Sequence, residues 1–227
     1  MIATILSFQL HELLQPQFYI DNGGLWLILL IIFAETGLFI GFFFPGDSLL
    51  FVAGIFSNKL AAYLYDTGNN YLNLLIIIIL CGLAGIVGNT IGYIFGKRIG
   101  PAMFNWKENI LFKQKYLIQA QDFYDQYGGG AIVFARFVPI VRTFAPIIAG
   151  IVNMDKKRFT LFNVAGSFAW VGSMLTVGHF LQGFLLRNYG IDISKHLELI
   201  VLAIVFVTTA PVIFKLVFGK PKPSSSK

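Results

Sequence analysis

The sequence predicts an all-α integral membrane protein, with about three full transmembrane helices, two opposed re-entrant helical hairpins and interfacial amphipathic helices. Two observations lead to this fold class. Apolar residues make up 56% of the 227-residue chain and charged residues only 12%, about half the charged share of a soluble domain. Several apolar segments also approach the roughly 20 residues that a helix needs to cross a bilayer. This composition excludes a soluble enzyme and a nucleic-acid-binding domain, whose surfaces carry far more charge.

The N-terminal part predicts a helix on the membrane surface, followed by a hairpin within the membrane. Residues 1–24 form the interfacial part, in which an amphipathic helix over residues 4–14 ends before Pro16, because proline interrupts a helix. The segment 25–57 consists of two apolar pieces separated by Pro45, Gly46 and Asp47. The second piece is about half of a spanning length. We therefore predict a re-entrant hairpin whose break lies at Pro45 and Gly46.

The remainder alternates spanning helices with a second interrupted segment. Residues 72–95 predict a transmembrane helix, and residues 101–127 predict an interfacial connector because they mix charged and aromatic side chains. The segment 131–152 contains Pro139 and Pro146, and we predict a second re-entrant hairpin with breaks at these prolines. Two more spanning helices are predicted over 159–186 and 197–218. The resulting division is a membrane domain over 25–186, a C-terminal transmembrane helix over 187–219 and a polar tail over 220–227.

Basic residues predict the orientation of these elements. Five lie between residues 97 and 115, three at residues 156–158 and three after Gly219, whereas the other loops hold only Lys59, Arg187 and Lys195. Cytoplasmic loops carry the excess of Lys and Arg, so these three basic regions and the C-terminus are predicted to be cytoplasmic. The two hairpins then enter from opposite faces, an arrangement typical of transporters built from inverted repeats.

Four charged residues fall in the two predicted hairpins: Glu35, Asp47, Arg136 and Arg142. Charged side chains are costly there and usually functional. One interpretation is a polar cavity in which the arginines bind an anionic headgroup and the acids exchange protons, since arginine makes paired hydrogen bonds to phosphate. The alternative is a pair of buried salt bridges that only hold the hairpins together. On an unbroken helix the two arginines would point roughly 120° apart, so a break at Pro139 would be needed to bring them together.

Small and neutral polar residues give weaker signals. Gly88, Gly92, Gly96 and Gly100 recur every four residues, which indicates a helix-packing stripe and allows a homodimer. A lone intramembrane histidine, His179, is more often a packing residue than a proton relay. We see no cluster of Cys and His for a metal site and no nucleophile with its base, so we predict neither enzymatic activity nor a cofactor.

Four blocks of residues follow one another between about residues 30 and 175. They are Glu35 with the run Phe43-Phe44-Pro45-Gly46-Asp47; the glycine stripe with Asn89, Tyr93, Lys97 and Arg98; residues 134–143 (FARFVPIVRT) with Pro146, Gly150 and Met154; and Phe159, Asn163, Gly166 and Trp170. The chain resembles the DedA family of bacterial inner-membrane proteins, whose shared region is called the SNARE-associated or VTT domain. Asn89 is a departure, because many members carry Asp at this position.

The resemblance implies a lipid transporter in the bacterial inner membrane. It implies an ion-gradient-coupled flippase for an anionic lipid, such as undecaprenyl phosphate or a phospholipid, with protons or sodium ions as the coupling ion. It also implies that Glu35 and Asp47 are the essential acids and that Arg136 and Arg142 are the essential arginines. Two alternatives stay open, namely a proton/cation antiporter that maintains the membrane gradient and a membrane scaffold.

Overall fold

The computed structural model describes residues 24–38, 46–103, 124, 128–137 and 139–193, and these residues form helices and connecting turns without a strand. The predicted N-terminal amphipathic helix, most of the 101–127 connector, Pro45, and the spanning helix over 197–218 with its tail lie outside the described residues. The helices are α1 (Gly24–Gly37), α2 (Gly46–Ile55), α3 (Ser57–Ala61), α4 (Asn70–Met103), α5 (Gly130–Ala135), α6 (Pro139–Ile151) and α7 (Lys156–Tyr189).

Two of these helices, α4 and α7, are long and apolar enough to cross a membrane. Each has 34 residues, which corresponds to about 50 Å at 1.5 Å per residue. Only 39% and 33% of their most apolar stretches are buried inside the protein. A core helix of a soluble protein would be mostly buried, so the remaining apolar surface fits contact with lipid.

The outer face of α4 carries large apolar side chains at helical spacing. Their exposed fractions range from 40% to 51%, and the residues are Leu72, Leu75, Ile79, Leu83, Val87, Ile91, Ile94 and Phe95, with Tyr71 more exposed still. The opposite face buries Asn73, Leu74, Ile77, Cys81, Asn89 and Tyr93. One helix face is thus directed at lipid and the other at protein.

The ends of α7 are defined by specific capping residues. The Asp155 side chain accepts a hydrogen bond from the backbone N–H of Arg158 at 2.9 Å, which satisfies one of the free donors of the first turn. The helix ends at Gly190, which has a left-handed φ of 67°, a conformation that glycine adopts without steric cost. Both long helices extend beyond the predicted apolar spans of residues 72–95 and 159–186.

Helices α4 and α7 run antiparallel. Tyr93 near the end of α4 stacks on Phe159 near the start of α7, with ring centroids 4.2 Å apart. Tyr71 at the start of α4 contacts His179 near the end of α7. These two helices form the frame against which the shorter helices pack.

The two short helices of the first pair, α1 and α2, run in opposite directions. Helix α1 is parallel to α4, since Ile32 lies near Gly85 whereas the Thr36 carbonyl lies near Gly92. Helix α2 is parallel to α7, since Asp47 contacts Trp170 whereas Gly54 contacts Leu175. The chain therefore runs toward the middle of the long helices in α1 and returns in α2.

The second pair, α5 and α6, repeats this path from the other end. Helix α5 follows α7, with Gly129 beside Phe162 and Val133 beside Gly166, and α6 follows α4, with Ile147 near Gly96 and Ile151 near Gly100. Helix α5 ends at Ala135 and α6 begins at Pro139, a position that suits proline because the first N–H of a helix has no partner within it.

Pro146 does not end a helix, in contrast to the predicted break. Helix α6 continues through this residue to Ile151. A proline inside a helix lacks the N–H that would bond to the carbonyl four residues earlier. In α6 that carbonyl belongs to Arg142, so the Arg142 backbone loses the helical hydrogen bond that another residue at position 146 would donate.

The glycine stripe lies at the closest helix contacts. Gly88 faces Gly37 of α1, Gly92 faces Ile147 and Pro146, and Gly96 and Gly100 face the backbone of α6. A Cβ atom at Gly88 would lie 2.7 Å from the Phe33 carbonyl oxygen, which is closer than a real contact. The stripe therefore lets α4 pack closely against one helix of each pair, α1 and α6.

Candidate functional site

Glu35 and Asp47 lie at the inner ends of the first helix pair. Glu35 is in the last turn of α1 and Asp47 is in the first turn of α2, with 2% and 8% of their surfaces exposed. An acid in the first turn is favoured by the helix dipole. The Cα of Gly46 faces the Glu35 carboxylate so closely that a Cβ atom would overlap it. A side chain at position 46 would therefore displace the Glu35 carboxylate.

Arg142, in the first turn of α6, joins both carboxylates. Its Nη1 donates to Asp47 and its Nη2 donates to Glu35, and 8% of its surface is exposed. The three side chains come from three helices and from both helix pairs. We call Glu35, Asp47 and Arg142 the Arg142 cluster.

Trp170 of α7 completes the surroundings of this cluster. Its indole Nε1 donates to Asp47 Oδ1 at 2.9 Å, and the Arg142 guanidinium carbon lies 4.6 Å from the centre of its ring. The ring face therefore stabilises the cation while the indole N–H holds the acid. In the sequence Trp170 stands out only as a member of the fourth block of the family resemblance, and its two polar contacts depend on packing that no local pattern reveals.

Arg136 lies in the break between α5 and α6 and has different partners. It is 5% exposed, and its Nη2 donates to the side-chain oxygen and the backbone oxygen of Asn163. Within the part of the chain that the structure describes, Arg136 makes no ion pair with a carboxylate. Its buried positive charge is held there by neutral acceptors.

Asn163 connects Arg136 to α4. Its Oδ1 also accepts from Asn89 Nδ2 at 3.1 Å, while its Nδ2 donates to the Ile86 carbonyl at 3.1 Å and to Thr90 Oγ1 at 3.3 Å. Asn163 is completely buried. A buried amide with both ends hydrogen-bonded fixes the relative position of the two long helices and of Arg136.

Of the four charged residues that the sequence singles out, three meet in the Arg142 cluster. The fourth, Arg136, is bound to Asn163. Glu35 is paired with Arg142, whereas Arg136 is bound to Asn163. Two negative charges and one positive charge leave the Arg142 cluster with one formal negative charge, which the charge of Arg136 balances across the site.

Two buried hydroxyl groups add unused hydrogen-bonding capacity. Ser48 follows Asp47 on α2, and Ser167 lies between Asn163 and Trp170 on α7. Both are at most 1% exposed, and neither hydroxyl has a hydrogen-bond partner among the described residues. Buried polar atoms without a partner are costly, which is typical of positions that water or a bound molecule occupies.

The remaining predicted residues lie elsewhere. His179 forms a 2.8 Å hydrogen bond with Ser57 of α3, about 14 Å along α7 from Trp170, and is therefore distant from the Arg142 cluster. A cavity of about 400 Å³ lies where α6 ends and α7 begins, lined by Tyr124, Asn153 and Arg158 among others. No group of three metal-binding side chains occurs among the described residues.

Comparison with known proteins identifies clear relatives. Residues 44–180 match the VTT domain. Protein DedA of Escherichia coli strain K12 is 33% identical over 223 residues, which cover 97% of this chain and 95% of the relative. An uncharacterized membrane protein of Mycobacterium tuberculosis is 34% identical over 88% of this chain and 84% of its own length. Inner membrane protein YqjA of E. coli is 32% identical over 70% of this chain and 68% of its own length. No solved structure gives a significant match.

Proposed function

The chain belongs to the DedA family of VTT-domain membrane proteins, and from this premise we propose that it is an ion-gradient-coupled flippase for an anionic lipid. The lipid class is one with a phosphate headgroup, such as undecaprenyl phosphate or a phospholipid. Arg136 and Arg142 bind the phosphate, and Glu35 and Asp47 take up and release the coupling proton.

The observation that carries this proposal is the buried positive charge of Arg136. A buried cation is strongly destabilising unless an anion or a full set of hydrogen bonds compensates it. Arg136 has only Asn163 as an acceptor among the described residues, and its Nε has no partner there. A planar guanidinium with free donors matches the oxygen atoms of a phosphate group. The site is therefore suited to receive an anion.

Proton coupling follows from the charge of the Arg142 cluster. In the described arrangement its single negative charge balances Arg136. A proton on Glu35 or Asp47 makes the cluster neutral and leaves the site with one positive charge, which a phosphate then compensates. Proton binding and phosphate binding therefore favour each other, and this coupling is reciprocal by thermodynamic necessity.

Arg142 changes partners in this scheme. Both its terminal nitrogens bond to carboxylates in the described arrangement, so it has little capacity for a phosphate. Protonation of one carboxyl group weakens that ion pair and frees one side of the guanidinium. The second arginine then joins Arg136 at the headgroup only when the proton has bound.

The two opposed helix pairs fit this role. We propose that α1–α2 and α5–α6 are re-entrant hairpins whose inner ends meet near the bilayer midplane, where coupled transporters bind their substrates. The basic residues around Lys97 and Lys156–Arg158 mark the cytoplasmic side. In the bacterial inner membrane the C-terminus is then cytoplasmic.

Transport in reconstituted vesicles tests the proposal. We expect Arg136→Gln to abolish the movement of fluorescent phosphatidic acid between leaflets, and Arg136→Lys to keep part of it because the charge remains. Arg98→Gln is the matched control, since it removes one positive charge from an exposed position of α4. Imposing a pH gradient should accelerate the wild type and the control.

Normal transport by Arg136→Gln would contradict the proposal. So would a wild-type rate that is unaffected by a pH gradient and by a sodium gradient. Insertion of each variant is checked by size-exclusion chromatography in detergent, so that misfolded protein is not counted as inactive transporter.

A proton/cation antiporter is the second candidate, and the negative charge of the Arg142 cluster favours it. A cation could replace a proton at Glu35 and Asp47 without any lipid substrate. This function predicts cation-dependent proton flux in vesicles made only of zwitterionic lipid. Flux that requires an anionic lipid would instead support the flippase.

A further inference from the structure

We propose that Asn163 is a positioning residue that makes the site selective for headgroups with a net negative charge. It holds the Arg136 guanidinium with a neutral oxygen, so that Arg136 is oriented but not neutralised. This inference rests on the proposed transport of an anionic lipid and assigns the source of its charge selectivity.

The hydrogen bonds of Asn163 fix the direction of its amide. Its oxygen accepts from two donors, Arg136 and Asn89, and its nitrogen donates to the Ile86 carbonyl and to Thr90. A flipped amide would place its N–H₂ group against the guanidinium and its oxygen against a carbonyl. Arg136 therefore always meets the oxygen end of this amide.

The backbone of α7 provides the space for this contact. Gly166 lies one turn after Asn163, and a Cβ atom there would be 2.9 Å from both Cδ and Nε of Arg136. The arginine stem thus lies across a glycine while its Nη2 bonds to the side chain and the backbone oxygen of Asn163. The turn of α7 from Asn163 to Gly166 therefore determines where the Arg136 side chain runs and where its guanidinium binds.

Charge distinguishes positioning from simple attachment of helices. If Asn163 only joined α4 to α7, Asn163→Asp and Asn163→Ala would both lose the bond to the Ile86 carbonyl and would slow both lipids alike. If its neutrality matters, the carboxylate forms an ion pair with Arg136, and a phosphate must compete with this internal anion. The two interpretations therefore differ in whether Asn163→Asp weakens the binding of the anionic lipid selectively.

The test measures initial transport rates of fluorescent phosphatidic acid and fluorescent phosphatidylcholine in vesicles. For Asn163→Asp we expect the KM for phosphatidic acid to rise about tenfold, within the usual range of coupling between sites. The smaller rate for phosphatidylcholine should change little. Lowering the pH protonates the new carboxyl group, so the ratio of the variant's KM to the wild-type KM should return toward one.

A second pair of variants keeps the test independent of folding at position 163. Asn89→Asp and Asn89→Ala both lose the bond from Asn89 to Asn163, but only the first adds a charge near Arg136. We expect the KM for phosphatidic acid to rise more in Asn89→Asp than in Asn89→Ala. Equal values, or an Asn163→Asp protein with wild-type KM at neutral pH, would overturn the role of Asn163.

The outcomes separate this inference from the proposed function. If the wild type moves no lipid, or Arg136→Gln moves it normally, the flippase itself is wrong. If those two controls behave as expected while Asn163→Asp keeps its selectivity, only the role of Asn163 is wrong. A loss in Asn163→Asp that does not vary with pH and is equal for the two lipids indicates helix attachment alone and also overturns it.

Discussion

Arg142 is the residue on which the carboxylates of the site depend. One guanidinium bonds to Glu35 and Asp47 while its face rests on Trp170. Because the group is planar, it can use its edges for the acids and its face for the ring at the same time. Lysine would keep the charge but would lose this division of contacts, so the geometry requires arginine.

Trp170 allows its two contacts to be separated. Trp170→Phe keeps an aromatic face under Arg142 and removes the 2.9 Å hydrogen bond to Asp47, whereas Trp170→Leu removes both. We expect Trp170→Phe to lower the free energy of unfolding by about 1.5–3 kcal/mol, the usual contribution of a hydrogen bond to a charged group. Trp170→Leu should cost more because the cation–π contact is also lost.

Thermal unfolding in detergent, followed by circular dichroism, measures this series. Leu161→Ala serves as a control because Leu161 lies on the same helix and is 65% exposed. A Trp170→Phe protein as stable as the wild type would show that the indole N–H contributes nothing to the site.

At the scale of single elements, close helix contacts depend on glycines that have no room for a side chain. Gly178 of α7 faces the Phe51 carbonyl of α2, and Gly54 of α2 faces the Leu175 carbonyl of α7. This contact sets how near α2 lies to α7, and therefore how near Asp47 lies to Trp170.

Gly178→Ala should separate these helices. A Cβ atom at Gly178 would overlap the Phe51 carbonyl oxygen, whereas one at Gly172 on the same helix would meet nothing within 4 Å. We expect Gly178→Ala to lose about 1–3 kcal/mol of stability, as overpacked sites do. Gly172→Ala should be neutral or slightly stabilising, because alanine favours a helix.

Unfolding of both proteins in the same detergent gives the comparison. Equal stability of Gly178→Ala and Gly172→Ala would mean that α2 and α7 are not in close contact.

The sequence predicts elements better than it predicts their contacts. Glu35, Asp47, Arg136 and Arg142 stand out because charges are rare in apolar segments, and the break at Pro139 follows from the chemistry of proline. Pro146 does not break α6, since a proline within a helix can kink it without ending it, and its role as a hinge stays a prediction. The choice of Arg142 rather than Arg136 as the partner of Glu35 depends on long-range packing between residues 107 positions apart, which no local pattern encodes.

For the whole molecule, the orientation in the membrane is the central expectation. The opposed helix pairs and the distribution of basic residues predict that residues 155–158 and residues 58–70 lie on opposite sides, with 155–158 in the cytoplasm. Alkaline phosphatase fused in the 58–70 loop should therefore be active, and the same reporter fused at 155–158 should be inactive. Green fluorescent protein fusions should show the reverse pattern.

Equal behaviour of the two fusion sites would contradict the arrangement of helices across the bilayer. Insertion of the reporter directly after Gly68 is suitable, since it keeps this glycine with its φ of 70° and no other atom lies within 4 Å of its Cβ position. It should leave the packing of α3 and α4 unchanged.

The contacts of Arg142 also connect one half of the molecule to the other, because the arginine comes from α6 and its acids come from α1 and α2. The two halves cannot separate unless the carboxylates find another partner, because separation would leave three ionised groups unpaired in an apolar medium. Under the proposed function, the empty protein therefore stays closed, and opening requires the lipid and the coupling ion together. Loss of this requirement in Arg142→Ala should let protons through without lipid, so vesicles with this variant should leak protons faster than wild-type vesicles in a proton-leak assay.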